Sequence, residues 1–253
     1  MSSSGAPVDA SALIVEIGRL LYERNLLTAT EGNLSARLEK NRFLITAAGV
    51  CKGRLRPSDL VVVDGSGRKT AGGGKPSSET PLHLAVYGAR PEVRAVVHAH
   101  PPTATGFAVA GVPLEGKILP EVVVGVGDVP TAPYGTPSTE ALAGSARVVA
   151  RCHDAFLLKN HGAVTLSAKD LWEAFHRMEM VESLAKITLT ARLLGGAQPL
   201  CGEEVEKLIR LQGDPRPPSC ALPDAGPPPT PEEEKLIDEV TRRVSDRLGR
   251  RDT

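Results

Sequence analysis

Residues 11–195 alternate short apolar runs with stretches of helical periodicity. This alternation is typical of α/β domains, in which helices cover the faces of a sheet. Helices are predicted over residues 11–27, from Pro81 onward, after Ser138 and over residues 168–195. Strands are predicted at residues 43–46, 60–63, 93–98, 122–126, 155–158 and 162–166, which are short and largely apolar.

The composition indicates a packed interior made of small aliphatic side chains. Hydrophobic residues make up 41% of the 253 positions, which is enough for one domain with a sizeable core. Only 3% of the residues are aromatic, so an aromatic platform for single-stranded RNA is not expected. The 30 basic and 30 acidic side chains balance, which argues against a nucleic-acid or anionic-membrane binder.

Both ends of the chain differ in composition from the predicted domain, residues 11–213. Residues 1–10 are rich in Ser, Gly and Pro and are predicted to be flexible. Eight of the 21 prolines lie within residues 214–231, which predicts an extended linker. Residues 232–253 have the apolar spacing of an amphipathic helix.

The sequence features that report on compartment predict a cytoplasmic protein. No uncharged apolar run approaches the roughly 18 residues that a membrane helix needs. Residues 1–10 lack the basic and apolar regions of a secretory signal. The four cysteines form no CxxC pair and are predicted to be reduced thiols: Cys51, Cys152, Cys201 and Cys220.

Three histidines are candidates for a metal site. His98 and His100 are two residues apart at the end of a predicted strand, so their rings project from the same face. His161 follows another predicted strand and precedes a glycine. Three imidazoles would leave coordination positions open for a substrate, as a catalytic zinc ion requires. The alternatives are a pair of surface histidines and a histidine that only packs or caps an element.

Two segments have the features of anion-binding turns. Residues 77–81, Ser-Ser-Glu-Thr-Pro, open a predicted helix, whose free N–H groups and hydroxyls bind phosphate well. A simple helix cap with Glu79 in the first turn is the alternative. Residues 30–35 contain Gly32-Asn33, which exposes backbone amides but is equally compatible with an ordinary turn. Residues 72–75 are not a P-loop, since Pro76 replaces the required Ser or Thr.

Five short motifs together resemble the class II aldolase/adducin family, in its sugar-phosphate aldolase branch. Their order and spacing agree over roughly residues 10–200, in segments 31–35, 45–49, 76–79, 98–100 and 160–162. The resemblance implies an α/β fold, a three-layer sandwich around a largely antiparallel central sheet. It also implies a homotetramer with active sites between subunits and one Zn²⁺ per subunit.

The motif matches also imply roles for individual residues. Zinc ligands are expected at His98, His100 and His161, with Glu79 as a further ligand in the resting site. Glu79 is also the expected acid/base, provided that its pKa is raised toward neutrality. Asn33 is expected to donate a hydrogen bond to the reacting oxygens. A phosphate pocket is expected at Gly32, Asn33, Gly49, Ser77 and Ser78.

The sequence departs from the family pattern in three ways. Ala48 stands where the phosphate loop usually carries a hydroxyl. The aldolases use tyrosines from across the interface, whereas the tyrosines here are Tyr22, Tyr87 and Tyr134, none of them near the C-terminus. Glu121 falls where the related dehydratases place an acid/base, although a surface acid is the alternative at this position.

The resemblance implies a zinc-dependent aldolase. It would cleave a ketose 1-phosphate of the fuculose, rhamnulose or deoxyribulose type into dihydroxyacetone phosphate and an aldehyde. A sugar-phosphate 4-epimerase or dehydratase on the same scaffold is one alternative. A non-enzymatic adducin-like module is another, which the three histidines argue against.

The C-terminal segment supports a separate hypothesis. A proline-rich linker followed by a short amphipathic helix resembles the peptides that direct enzymes into bacterial microcompartments. Residues 232–248 would then bind a shell protein. A helix that folds against a neighbouring subunit is the alternative.

Overall fold

A computed structural model describes residues 9–39, 41–114 and 116–212. Its helices are α1 (Ala10–Glu23), α2 (Thr80–Ala89), α3 (Pro102–Ala110), α4 (Pro120–Gly125), α5 (Glu140–Ala150), α6 (Leu171–Leu193) and α7 (Gly202–Gln212). Its strands are β1 (Asn33–Arg37), β2 (Arg42–Thr46), β3 (Leu60–Asp64), β4 (Lys69–Gly72), β5 (Ala95–Ala99), β6 (Thr131–Ala132), β7 (Ala155–Leu158) and β8 (Gly162–Ser167).

The described strands form one sheet of eight in the order β4-β3-β2-β1-β5-β8-β7-β6. All neighbours pair antiparallel except β6 and β7, which are parallel. Strand β5 lies at the centre between β1 and β8, with His98 opposite Asn33 on one side and Val164 on the other. Segments distant in sequence therefore meet at the end of β5.

Both faces of the sheet are covered, because side chains alternate along each strand. On β5, Ala95 and Val97 pack with helices α1, α3 and α6, whereas Val96 faces α2 and α5. Strand β7 divides in the same way, with Leu157 on the first face and Phe156 on the second. The α/β three-layer sandwich around a largely antiparallel sheet is thus confirmed.

Helix α1 is displaced from the predicted residues 11–27. It begins earlier because Asp9 caps it, with the carboxylate accepting a hydrogen bond from the Ser11 amide. It ends earlier because Asn25 adopts a left-handed conformation with φ of 57°. The predicted flexible segment 1–10 is described at Asp9 and Ala10, and these two residues are the cap and the first residue of α1.

The predicted strand at residues 122–126 is wrong, since residues 122–125 belong to helix α4 and Val126 is its C-cap. Pro120 occupies the first turn, where its fixed φ favours a helix, and the preceding Leu119 is extended. The Leu119 carbonyl accepts a hydrogen bond from the Val123 amide at 3.0 Å. Val122 and Val126 then lie one turn apart and are both buried, so burial at helical spacing overrides β propensity.

Several elements were not predicted. Strand β4 occupies the start of the glycine-rich segment 69–78, and β6 is only two residues long. Helix α3 begins at Pro102, two residues after His100, and α7 lies near the end of the described chain. The predicted linker 214–231 and helix 232–253, with the shell-binding segment 232–248, lie outside the described residues.

Two further expectations can be compared with the structure. Cys51 and Cys201 carry free thiols as predicted, whereas Cys152 is disulfide-bonded, so the expectation of reduced cysteines is wrong for that residue. Within the described ranges, no helix is both long enough and apolar enough to cross a bilayer.

Candidate metal centre and active site

Three histidine rings converge at the end of the central sheet. His98 lies on β5, His100 follows the end of that strand, and His161 lies in the turn between β7 and β8. The ring centroids are 4.8–5.0 Å apart, and the Nε2 atoms of His98 and His100 are separated by 3.1 Å. Zn–N bonds of 2.0–2.1 Å in a tetrahedral site place ligand nitrogens about 3.3 Å apart, so the three rings fit a metal ion.

The surroundings of the rings leave lone pairs available for a metal. His98 Nδ1 lies 2.9 Å from the Ala163 carbonyl oxygen, to which it donates, so a neutral His98 ring presents a lone pair at Nε2. Burial, reinforced by the neighbouring His98, lowers the pKa of both His100 and His161 to about 4. Both rings are therefore neutral near pH 7, the form that binds metals.

Glu79 lies against the histidines and completes the donor set. Its Oε2 is 3.2 Å from His98 Nε2, and its Oε1 is 3.3 Å from His161 Nε2. Oε1 is buried and has no hydrogen bond to any described residue, which a bound cation would satisfy. Asn33 Nδ2 donates a hydrogen bond to Oε2 at 2.8 Å.

The expectation that the pKa of Glu79 is raised toward neutrality is wrong for this structure. Burial opposes ionisation of the carboxyl group. In the metal-free site, a proton on His98 Nε2 facing the carboxylate and the hydrogen bond from Asn33 outweigh that burial. The nearby His161 acts in the same direction, and the pKa of Glu79 lies well below its usual range. Glu79 is therefore an anion at rest, suited to ligate a metal and to accept a proton.

Two glycines allow the strands to approach this closely. A Cβ atom on Gly162 would lie 2.6 Å from the Ala99 carbonyl oxygen and 2.7 Å from a carbon of the His100 ring. Gly32 has φ of +66°, and a Cβ atom there would lie 2.7 Å from the His98 carbonyl oxygen. Both positions therefore require glycine for the histidines to reach their places.

Of the residues predicted to bind phosphate (Gly32, Asn33, Gly49, Ser77 and Ser78), Gly32 adjoins His98, and Asn33 and Ser77 contact Glu79. An antiparallel bridge between Ala47 and Pro76 pairs Ser77 with Thr46 and Lys75 with Ala48, so the two segments run side by side. The Ser77 hydroxyl accepts a hydrogen bond from the Glu79 amide, whereas Ser78 is exposed. The side chain of Asn33 is engaged with Glu79, so its phosphate contact stays a prediction.

Sequence reasoning missed Lys52, a cation between the two predicted phosphate turns. Its side chain is buried, and its Nζ donates hydrogen bonds of 2.7 Å to the carbonyls of Thr30 and Val50. Burial lowers the pKa of Lys52 to about 8, despite the nearby Cys51 and Glu79, so it is mostly protonated at pH 7. Its position three residues after Gly49, next to a predicted phosphate turn, is the signal in the sequence that could have found it.

The remaining candidates are not joined to the centre within one chain. Glu121 is exposed in the first turn of α4, and no hydrogen bond or ion pair found in the described ranges connects it to the histidines. Tyr22 and Tyr134 are exposed, and Tyr87 is buried between α2 and β1. A catalytic role for Glu121 stays a prediction.

The sandwich and its donor set define a class of protein, an α/β domain that can hold a divalent metal at the end of a largely antiparallel sheet. The chain belongs to the family described as Class II Aldolase and Adducin N-terminal domain, whose model matches residues 12–189.

Proteins with named activities resemble this chain over most of their length. A 3-oxo-tetronate 4-phosphate decarboxylase of Haemophilus influenzae is 37% identical over 182 residues, or 70% of this chain and 86% of that protein. An L-fuculose phosphate aldolase of Methanococcus maripaludis is 33% identical over 181 residues, or 72% and 96%. A solved L-fuculose 1-phosphate aldolase has a TM-score of 0.76 at 34% identity, covering 84% and 100%.

Proposed function

We propose that this chain is a metal-dependent lyase that breaks a carbon–carbon bond next to a carbonyl group and releases dihydroxyacetone phosphate. The observation that carries the proposal is the convergence of three imidazoles on an ionised, buried carboxylate. Zinc, one ion per subunit, is the expected metal, because imidazole ligands with a single carboxylate suit zinc better than Mg²⁺.

The reactions named for the two groups of relatives leave the same three-carbon fragment. Loss of CO₂ from a 3-oxo-tetronate 4-phosphate, followed by addition of a proton at carbon 2, yields dihydroxyacetone phosphate. Cleavage of fuculose 1-phosphate yields dihydroxyacetone phosphate and lactaldehyde. Both reactions leave a carbanion beside a carbonyl group, so one site can serve either substrate.

Bound at the three histidines, a divalent ion would act as a Lewis acid toward the substrate carbonyl oxygen. The chain itself moves the proton. Glu79 is ionised at rest, so it would first take up a proton from solvent water and then deliver it to the carbon exposed by cleavage. The Asn33 amide holds Glu79 Oε2 in place during this exchange.

The phosphate group would orient the substrate at the neighbouring turns. Backbone amides at Gly32 and Gly49, with the hydroxyls of Ser77 and Ser78, are the proposed donors. Lys52 adds a positive charge between the two glycine turns, and this compensates in part for Ala48, which lacks a hydroxyl. A fixed phosphate converts binding energy into positioning of the bond to be broken.

We place decarboxylation first, because it requires fewer proton transfers. Release of CO₂ needs only one proton, delivered to carbon, and Glu79 supplies that step. Aldol cleavage additionally requires a base for the substrate hydroxyl. Among the described residues, Glu79 contacts His98 and His161, and the more exposed Glu31 lies 3.6 Å from His100 Nδ1. Glu79 is therefore the buried carboxylate beside the rings, and Glu31 lies nearer the surface.

Aldol cleavage is the second candidate, and the fuculose phosphate aldolases among the relatives favour it. It would need a second acid/base group, supplied by Glu31 beside His100 or by a neighbouring subunit of the tetramer that the family resemblance implies. Glu121 on α4 is the residue of this chain that could play that part. A 4-epimerase or dehydratase would use the same metal centre but release no triose phosphate.

The experiment is a parallel assay of metal-loaded protein on 3-oxo-tetronate 4-phosphate and fuculose 1-phosphate. Dihydroxyacetone phosphate is measured in both reactions, CO₂ in the first and lactaldehyde in the second, together with metal content by mass spectrometry. Triose phosphate from the first substrate alone would establish the decarboxylase, and from the second alone the aldolase. Metal without cleavage of either would favour the epimerase or dehydratase, and protein that takes up no metal would favour the adducin-like module.

A matched pair of variants tests whether the activity belongs to this site. His98→Ala removes a buried ring of the metal centre and is expected to abolish both metal retention and product release. His176→Ala removes an exposed histidine of α6 and is expected to change neither. Equal activity in the two variants would place the reaction elsewhere.

A further inference from the structure

Four buried polar side chains extend from Glu79 into the layer between β1 and α2: Asn33, Ser35, His83 and Tyr87. Asn33 and Ser35 are two residues apart on β1 and therefore share a face. Glu79, His83 and Tyr87 are spaced by four residues along α2 and its N-terminus, so they lie on one side of the helix. The residues Asn33, Ser35, His83 and Tyr87 are each at most 3% exposed.

Hydrogen bonds join these side chains into one continuous chain. Asn33 Nδ2 lies 2.8 Å from Glu79 Oε2, and Asn33 Oδ1 lies 2.5 Å from His83 Nε2. On the other side of the imidazole ring, His83 Nδ1 lies 2.6 Å from Ser35 Oγ, which in turn lies 2.8 Å from the hydroxyl of Tyr87.

The chemistry of the groups allows only one direction of donation along this chain. The Glu79 carboxylate can only accept, so Asn33 must turn its NH₂ group toward it and its carbonyl oxygen toward His83. That carbonyl can only accept, so His83 carries a proton on Nε2. A neutral His83 then accepts at Nδ1 from Ser35, whose oxygen accepts from Tyr87.

The surroundings keep His83 and Tyr87 in the protonation states that this direction of donation requires. Burial lowers the pKa of His83 to about 3, with His98 contributing, so its ring is neutral near pH 7. Burial raises the pKa of Tyr87, which therefore keeps its hydroxyl proton. Neither group exchanges a proton in the physiological range, and the chain is a fixed array of donors.

We propose that His83, as its neutral Nε2-protonated tautomer, is a positioning residue that holds the Asn33 amide in the one orientation in which it donates to Glu79. The inference rests on the proposed function, since it assigns Glu79 the proton transfer. His83 acts through Asn33 and does not touch the reacting atoms. Without its N–H group, the amide of Asn33 loses the partner that keeps its oxygen away from the carboxylate.

The first test reads the tautomer directly in the full chain. Nitrogen NMR of protein labelled in its histidine rings distinguishes a protonated ring nitrogen from one with a lone pair, and the His83→Gln variant identifies the signal. We expect a neutral ring protonated at Nε2, with and without added Zn²⁺. A proton on Nδ1, or on both nitrogens, would overturn the inference.

The second test uses two amide substitutions that differ in reach. The side-chain amide of Gln extends to the place of the imidazole Nε2, whereas that of Asn extends only to the place of Nδ1. His83→Asn is expected to lower kcat about 10-fold to 100-fold with KM and metal content unchanged, as for other outer partners of a metal site. His83→Gln is expected to retain most of the kcat of the unmodified protein.

The outcomes separate this inference from the proposed function. Equal loss of kcat in two folded, metal-loaded variants would overturn the positioning role while leaving the lyase in place. If the unmodified protein cleaves neither substrate, the lyase fails, and the NMR measurement alone decides the tautomer. If His83→Asn does not fold, the NMR measurement on the unmodified chain decides whether the inference stands.

Discussion

Single residues control this site through the exact groups that they present to one another. The three histidines supply lone pairs, Glu79 supplies a negative charge, and Gly162 supplies space. Their effects differ in kind, since Glu79 is proposed to move a proton whereas Gly162 allows the rings to approach. Separate measurements of turnover and metal affinity can therefore tell them apart.

Replacing Glu79 by Gln is expected to lower kcat by about 10²-fold to 10⁴-fold, the usual contribution of general acid–base catalysis. The amide oxygen can still accept the hydrogen bond from Asn33, so at equal metal content the loss reports on proton transfer. Steady-state release of dihydroxyacetone phosphate measures it. The matched variant Glu121→Gln examines the other predicted acid, and a larger loss there would transfer the proton step to Glu121.

Replacing Gly162 by Ala is expected to weaken metal binding about 10-fold or more, in the range found when the surroundings of a metal ligand are disturbed. The added methyl group would press on the Ala99 carbonyl and the His100 ring, and the backbone atom cannot move aside. Titration with Co²⁺ followed by absorbance measures the affinity. Gly88→Ala is the control, because an atom added at that helical position has open space. Equal affinities in both variants would contradict the packing argument.

Whole elements position the site through their ends. Helix α3 begins two residues after His100, and Glu182 on α6 accepts hydrogen bonds from its first turn. The donors are the Thr103 amide and hydroxyl and the Ala104 amide, at 2.8–3.2 Å. A buried carboxylate at a helix N-terminus is favoured by the helix dipole and here fixes the segment that carries His100.

Replacing Glu182 by Ala is expected to reduce the free energy of unfolding by about 3 kcal/mol, because buried amide donors lose their acceptor. Urea denaturation followed by circular dichroism measures the change. Glu16→Ala on the exposed face of α1 is the matched control and should be nearly neutral. A Glu182 variant as stable as the Glu16 variant would contradict the proposed anchoring of α3.

At the scale of the whole molecule, burial of neutral histidines makes the stability of the metal-free protein depend on pH. The pKa values of His100 and His161 are about 4 and that of His83 is about 3, all lowered by burial from 6.5. Between the unfolded and folded values, the unfolded chain binds more protons. Stability that is present above pH 6.5 is therefore lost as the pH falls toward 4.

The expected loss at pH 5 is on the order of 2 kcal/mol for each histidine. Urea unfolding of chelator-treated protein from pH 7.5 to pH 5 measures this slope. The variant His83→Gln should show a smaller slope than the unmodified protein, whereas His176→Gln, at an exposed position, should keep it. Identical slopes for the unmodified and His83 variants would contradict a neutral, buried His83.

The surface of the single chain supports the predicted self-association. Val109, Tyr134, Leu194 and Leu211 are large apolar side chains that are each more than half exposed. A tetramer would bury such groups and place a second chain beside the site. Sedimentation velocity is expected to give four times the chain mass of 26.7 kDa, and a species of 26.7 kDa at micromolar concentration would contradict the prediction.

The sequence by itself determined the local parts of this protein. Side-chain periodicity specifies which face of an element is buried, so the strands at residues 43–46 and 155–158 and the long helix near residues 168–195 could be predicted. The spacing of His98 and His100 likewise predicted a pair of rings on one side. The motif order identified the family, which the match over residues 12–189 confirms.

Only the tertiary structure decided which distant residues meet. The order β1-β5-β8 brings His161 to His98, and the packing of α2 on β1 brings His83 to Asn33, 50 residues away. Contacts between distant elements also made most of residues 122–126 helical and lowered the pKa of Glu79. Hydrogen-bond partners and desolvation depend on neighbours from other elements, and the local pattern of a sequence carries no information about those neighbours.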